Sequence, residues 1–128
     1  MSHPTGVTLD TGALLALERG DQRIRALLRK TVEASSPVSV PAGVVAQAWR
    51  GGPRQARLAR LLADPLVEVP VLDDMTARAV GLVCGRTGTA DVVDVQVALS
   101  ARERSHAVVT SDRHDIFRID PALTIIEI

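Results

Sequence analysis

Aromatic side chains and cysteine are nearly missing from this 128-residue chain, which has no Tyr, one Phe (Phe117), one Trp (Trp49) and one Cys (Cys84). Two rings are too few for the aromatic platforms on which RRM-like and OB-like proteins stack single-stranded bases. The lone thiol has no partner for a disulfide or a cysteine-based zinc site. It sits where a small hydrophobe would serve, which fits a reducing interior. Excess charge is absent too. Fifteen Lys plus Arg balance fifteen Asp plus Glu, so no global positive field draws in nucleic acid or anionic membrane, and any nucleic-acid contact must be local. No run of about 18 apolar residues is available to cross a bilayer, and Met1 to Asp10 lack the basic start and apolar run of a secretory signal. The expected location is cytoplasmic, with no membrane partner.

What the chain does have is the material for a core: 46% of its residues are hydrophobic and 23% charged. That suits a single domain over residues 1–128. Short β-branched runs at Val7 to Leu9, Val38 to Val40, Val67 to Leu72 and Ala107 to Thr110, with a fifth at Leu123 to Ile128, read as strands apolar on both faces. Between them, helical spacing covers Gly12 to Arg19, Gln22 to Ala34, Ala42 to Arg50, Arg54 to Ala63, Asp74 to Arg86 and Ala90 to Arg104. The triplet Gly51-Gly52-Pro53 should stop the third of these after Arg50. The alternation predicts an α/β fold with a central parallel sheet of four to five strands, flanked by helices on both faces.

In such a sheet, ligands bind beyond the carboxyl ends of the strands. Asp10 ends the first strand and Asp112 follows the fourth, so both are expected at that edge. On the last long helix, Gln96, Ser100 and Glu103 share an arc expected to face water. Asp91 and Asp94 fall within roughly 40° of the opposite direction, so they should point inward. Uncompensated like charges there would cost several kcal/mol, at roughly the scale of a buried charge, unless their pKa values rise or a cation sits between them. Oxygen ligands without His or Cys suit Mg²⁺ or Mn²⁺, ions that drive phosphodiester hydrolysis. Three of these residues also have a purely structural reading, Asp10 as a helix cap, Asp91 as a partner of a helix dipole and Asp112 as a turn former, whereas Asp94, among Val92, Val93, Val95 and Val97, is hardest to explain as structure. His3, His106 and His114 read as surface or turn residues.

Other acidic α/β sites fit less well. A haloacid-dehalogenase-type nucleophile needs a second Asp two residues on, where Gly12 stands, and a receiver domain needs a Lys at its acidic pocket, whereas Lys30 lies on a polar helix face. Neither a phosphate-binding Gly-rich loop nor a Gly-x-Ser-x-Gly elbow is present.

Four segments, in order, carry a resemblance: Val7-Thr8-Leu9-Asp10-Thr11-Gly12-Ala13-Leu14-Leu15-Ala16-Leu17; Val40-Pro41 through Trp49; Ala90-Asp91-Val92-Val93-Asp94-Val95-Gln96-Val97-Ala98; and Val109-Thr110-Ser111-Asp112. With these the chain resembles the PIN-domain ribonucleases, specifically the VapC-type toxins of type II toxin-antitoxin pairs. The resemblance implies a PIN-like three-layer fold, Mg²⁺ or Mn²⁺, an RNA substrate, a cognate antitoxin and a homodimer. It implies Asp10 and Asp94 as central ligands, Asp112 completing the site, Asp91 as a further ligand or base, and Thr11 and Ser111 orienting water or phosphate. Asp115 is a weaker candidate that could cap the turn before Ile116. The chain departs from the family at Gln47, where Glu is usual: an amide oxygen can bind a cation but brings no charge. RNA would be held by Arg50, Arg54, Arg57 and Arg113, with Arg60 and Arg118 nearby. Two other functions compete with this one: a catalytically weakened PIN module that binds RNA or antitoxin without efficient cleavage, and a small phosphatase-like metal hydrolase.

Overall fold

The computed structural model describes residues 3–128. Met1 and Ser2, where the reading of Met1 to Asp10 begins, lie outside the described residues. Five strands form one all-parallel sheet: β1 (Gly6–Leu9), β2 (Val38–Ser39), β3 (Val67–Glu68), β4 (His106–Thr110) and β5 (Ile125–Glu127). Their spatial order is β3-β2-β1-β4-β5, with Leu9 level with Val109, Val7 with Val38 and Val109 with Ile126. Every residue of β1 and β4 is buried, as expected of a central pair covered on both faces.

Seven helices connect and cover the strands: α1 (Thr11–Glu18), α2 (Gln22–Glu33), α3 (Ala42–Ala48), α4 (Ala56–Ala63), α5 (Asp74–Thr87), α6 (Val92–Arg104) and α7 (Arg113–Ile119), with a 3₁₀ turn at Pro53–Gln55. Aspartate starts five of them. Asp10, Asp21, Asp73, Asp91 and Asp112 each accept the N–H of the residue three positions on, through Oδ1, satisfying donors that the first helical turn leaves free. The core is aliphatic, built on Leu9, Leu14, Ile24, Val44, Leu58, Val97, Val108 and Ile116. Among the described residues no helix is long and apolar enough to cross a membrane.

The structure corrects the sequence reading at several points. The third strand stops at Glu68 rather than Leu72, because Pro70 has no N–H for a ladder and its carbonyl instead accepts from Ala42 N at 2.8 Å. The last strand is the shorter Ile125–Glu127. The third helix ends at Ala48, where Trp49 turns extended, before the glycines are reached. An unforeseen helix, α7, follows Asp112, and its buried Ile116 anchors it to the core. Gln96 and Ser100 do not face water; they are 1% and 5% exposed, and only Glu103 of that arc is exposed. Gln96 bolts three elements together. Its Oε1 accepts Gly43 N at 2.9 Å, and its Nε2 donates to the Pro70 and Val71 carbonyls at 3.3 Å. His106 is no surface residue: it is buried in β4, with Nδ1 3.0 Å from the Thr8 hydroxyl, and burial holds its pKa below the usual value.

The topology fixes where a ligand can sit. The chain runs outward from β1 through β2 to β3, then crosses to β4 on the other side of β1. Helix connections therefore diverge between β1 and β4, leaving a crevice at the carboxyl ends of those two strands.

Candidate active site

Asp10 and Asp112 stand at that crevice, one after β1 and one two residues beyond β4. Asp10 is 6% exposed, and its Oδ1 accepts Ala13 N at 2.8 Å, so the capping role expected of it on structural grounds is present. Its pKa is raised, first by burial, against the Thr110 hydroxyl that stabilises the anion and with further repulsion from Asp112. Thr110, fully buried in β4, serves both aspartates, because its Oγ also accepts Asp112 N at 2.9 Å. Nothing in the local sequence distinguishes Thr110 from the other β-branched residues of its strand. The loop carrying Ser111 lies directly on α1: a Cβ at Gly12 would come within hard contact of the Ser111 hydroxyl, so the glycine lets the two aspartate-bearing turns meet.

The α6 carboxylates come to the same place by a different route from the one the helix arc implied. Asp91 is exposed, capping α6 by accepting Asp94 N at 3.0 Å, and only Asp94 is half-buried. The arc failed because α6 is packed against the sheet, α3, α5 and α7, so polarity did not mark its solvent side. Asp94 carries the most perturbed carboxyl of the protein, pushed up to about 7 by burial first and then by Asp91, Asp10 and Asp115. Asp91, Asp94 and Asp115 line a cavity of about 210 Å³ together with Thr87, Thr89, Arg118 and Ile119. The structure thus raises Asp115 from a turn former to a wall of the acidic cavity. The spacing Asp112-x-x-Asp115, a cap followed by an acid in the first turn, was the signal for it.

The remaining candidates divide by distance. The Thr11 hydroxyl donates to Gln47 Oε1 at 2.5 Å, which brings the end of α3 to the start of α1 beside Asp10. Arg113 opens α7 on the exposed side of Asp112. Arg50 sits at the end of α3, its guanidinium donating to the carbonyls of Ala46 and Trp49 at 3.2 and 2.8 Å. Arg57 is elsewhere. It donates to the Glu18 carbonyl at 3.2 Å and lies over Gly20, at the far end of α1, about 12 Å along the helix from the site. Arg54 is exposed in the 3₁₀ turn, and Arg60 is exposed on α4.

Ion pairs among the described residues engage Asp74, Asp120, Glu68 and Glu103, and none involves Asp10, Asp91, Asp94, Asp112 or Asp115. The negative charge that lifts Asp94 is therefore offset by no ion pair, and Arg118 is the one basic side chain lining its cavity. Among the described residues no three Asp, Glu, His or Cys side chains form a ready-made metal cage. All-oxygen donors without a closed cage fit a hard ion that keeps several of its waters, as Mg²⁺ does. A hollow of about 280 Å³ at the opposite, amino-terminal edge of the strands, lined by His3, Ser105 and His106, contains none of these acids.

No protein-family model matches the sequence, and a search of curated proteins returns no match. Solved structures do match in three dimensions. The crystal structure of FitAcB from Neisseria gonorrhoeae superposes with a TM-score of 0.66 at 21% identity, over 94% of this chain and 96% of that one. The structure of FitAB bound to an IR36 DNA fragment gives a TM-score of 0.64 at 18% identity, over 94% of each chain. At that identity the likeness is one of fold. The expected PIN-like arrangement, a parallel sheet flanked by helices, is the one this chain adopts.

Proposed function

We propose that the chain is a metal-dependent endoribonuclease of the PIN type, a VapC-like toxin held in check by a cognate antitoxin. The observation that carries this reading is a run of like charges at the switch point of the sheet: Asp94 shares a cavity with Asp91 and Asp115 and is repelled by Asp10, Asp10 is repelled by Asp112, and among the described residues none of them is in an ion pair. The fold shared with FitAcB and FitAB supports it. Mg²⁺ or Mn²⁺, when bound, would offset this charge and activate water against a phosphodiester.

Asp10 and Asp94 would hold the ion most directly, Asp94 after losing its proton. Asp91 and Asp112 each engage Oδ1 in capping a helix, which leaves Oδ2 for the ion or its waters. Thr11 and Ser111 would orient water or phosphate. Exposed apolar residues before and along α5, Val71, Leu72, Met75 and Leu82, offer a face for a homodimer or for the antitoxin.

Purified protein incubated with unstructured RNA and Mn²⁺ should cut it, and chelation should stop the reaction. Asp94→Asn should slow it about a hundredfold or more, as expected when a group acting on the reacting centre is removed. RNA left intact, or equal rates for the parent and Asp94→Asn, would sink the proposal. Turnover of a small phosphate ester with RNA untouched would point instead to a phosphatase-like hydrolase.

One observation favours a second reading, a weakened module that binds RNA or antitoxin: Gln47 spends its amide oxygen on Thr11 and brings no charge. Gln47→Glu should then tighten Mn²⁺ by about tenfold, the scale of a ligand-shell change, and speed cleavage. If titration calorimetry and rates both stay unchanged, this position is not what limits activity.

A further inference from the structure

The cavity beside Asp94 carries both signs of charge. Asp91, Asp94 and Asp115 share it with one basic side chain, Arg118, and Thr87, Thr89 and Ile119 complete its wall. Helix α7 brings the basic residue there by its spacing: Asp115, Arg118 and Ile119, at i, i+3 and i+4, make one stripe along the cavity. Ile116 goes into the core instead, and Phe117 stays exposed. Arg118 is unspent. Arg102 gives its guanidinium to Asp120 and Arg104 gives its own to Glu68. No ion pair among the described residues involves Arg118, although three carboxylates line the same cavity.

Hydrogen-bond donors are few in this cavity. An ionised carboxylate only accepts, and Ile119 does neither. The Thr87 hydroxyl already donates to the Val83 carbonyl at 2.8 Å. The Thr89 hydroxyl accepts Asp91 N at 3.1 Å, which leaves its own proton free. Arg118 and Thr89 are thus the two lining side chains with hydrogens to give. The volume of about 210 Å³ is room for roughly seven waters, or for a tetrahedral oxyanion and fewer waters.

We propose that Arg118 and Thr89 hold the phosphate group that is cut, the guanidinium and the hydroxyl each donating to a non-bridging oxygen, while the carboxylates of the same cavity hold the cation. The inference rests on the ribonuclease reading above. A bare cation in this cavity gains from the acids and is repelled by Arg118, and a bare anion gains from Arg118 and is repelled by the acids. A cation and a phosphate together use both walls, so each should bind better when the other is present. The planar guanidinium fork matches phosphate oxygens, and the free hydroxyl proton adds a second donor. An arginine that served only to neutralise the acids would close on one of them, and Arg118 does not.

Calorimetry on the full chain at pH 8 tests this with adenosine monophosphate as the probe and adenosine as the control, each titrated with Mn²⁺ present and again in chelator. With Mn²⁺ the nucleotide should bind and adenosine should not, and in chelator the nucleotide should bind at least several-fold more weakly. Arg118→Ala should raise the nucleotide's Kd about ten- to a hundredfold, the scale of a hydrogen bond to a charged group. The same variant should tighten Mn²⁺ alone by about two- to tenfold, because a like charge is removed. Arg118→Lys, which keeps the charge and loses the fork, should fall between the parent and Arg118→Ala. Thr89→Val should weaken the nucleotide about two- to tenfold, and Thr89→Ser, which keeps the hydroxyl, should stay within about twofold of the parent. Melting curves of the Arg118 variants should match the parent, since this side chain is exposed and in no ion pair among the described residues. The proposal is overturned if the nucleotide does not bind with Mn²⁺, if it binds as well in chelator, if adenosine binds equally, or if Arg118→Ala leaves the nucleotide's Kd unchanged. Arg118-dependent binding by a protein that never cuts RNA would sink the nuclease and keep the phosphate site. RNA cleavage with kcat and KM unaltered in Arg118→Ala would do the reverse.

Discussion

At the scale of single residues, the candidate site is a set of aspartates, three of which also hold the first turn of a helix. Asp10, Asp91 and Asp112 cap helices through one carboxylate oxygen, so the structural and chemical readings of these residues are compatible rather than exclusive. Asp94 has no such partner. Its carboxyl is raised from 3.8 to about 7, by burial and then by its acidic neighbours, so between those values the folded chain keeps a proton that the unfolded chain releases. Stability from this group is present below pH 4 and is lost as the pH climbs to 7. Asp94→Asn should therefore raise the melting temperature at pH 8 and leave it nearly unchanged at pH 4. The gain should be on the order of 1 kcal/mol, because half-exposure screens much of the repulsion. Thermal melts at the two pH values check this. Mn²⁺ should stabilise the parent more at pH 8 than at pH 5 and should not stabilise the Asn variant.

Secondary-structure elements are where the sequence reading both succeeded and failed. Strands β1 and β4 were legible because unbroken β-branched runs suit a sheet covered on both faces. Helix α6 was legible as a helix, but its faces were not. Gln96 and Ser100 mimic a solvent arc, whereas Gln96 is buried and spends its amide on the backbone of two other segments. Gln96→Ala would strand Gly43 N and leave a cavity, at a cost of about 2–4 kcal/mol. Urea unfolding measures this. A cost below about 0.5 kcal/mol, the range of ordinary surface changes, would show that α6 does not depend on this residue. Helix α7 went unread because it is short and only Ile116 of its residues is buried, too little periodicity to stand out.

For the molecule as a whole, balanced charge limits how RNA would be held on the ribonuclease proposal. With no net positive field, affinity for an unpaired strand should come from a few local guanidinium contacts. The slope of log Kobs against log salt should then be near −2, at about 0.7 per phosphate for Arg50, Arg113 and Arg118. A salt series on a labelled unpaired RNA strand tests this, and a slope steeper than about −5 would demand contacts well beyond these three. Composition, β-branched runs and helix spacing by themselves determined a parallel α/β chain with aspartates at the carboxyl ends of two strands, because those signals are local and repeat along the chain. Only the tertiary structure decided which acids share a cavity, that Asp115 is among them, that Arg57 is drawn off to the far end of α1, and that both rings stay outside. Those outcomes depend on strand order and on how helices from distant segments pack against one another, and no stretch of sequence encodes that by its own periodicity.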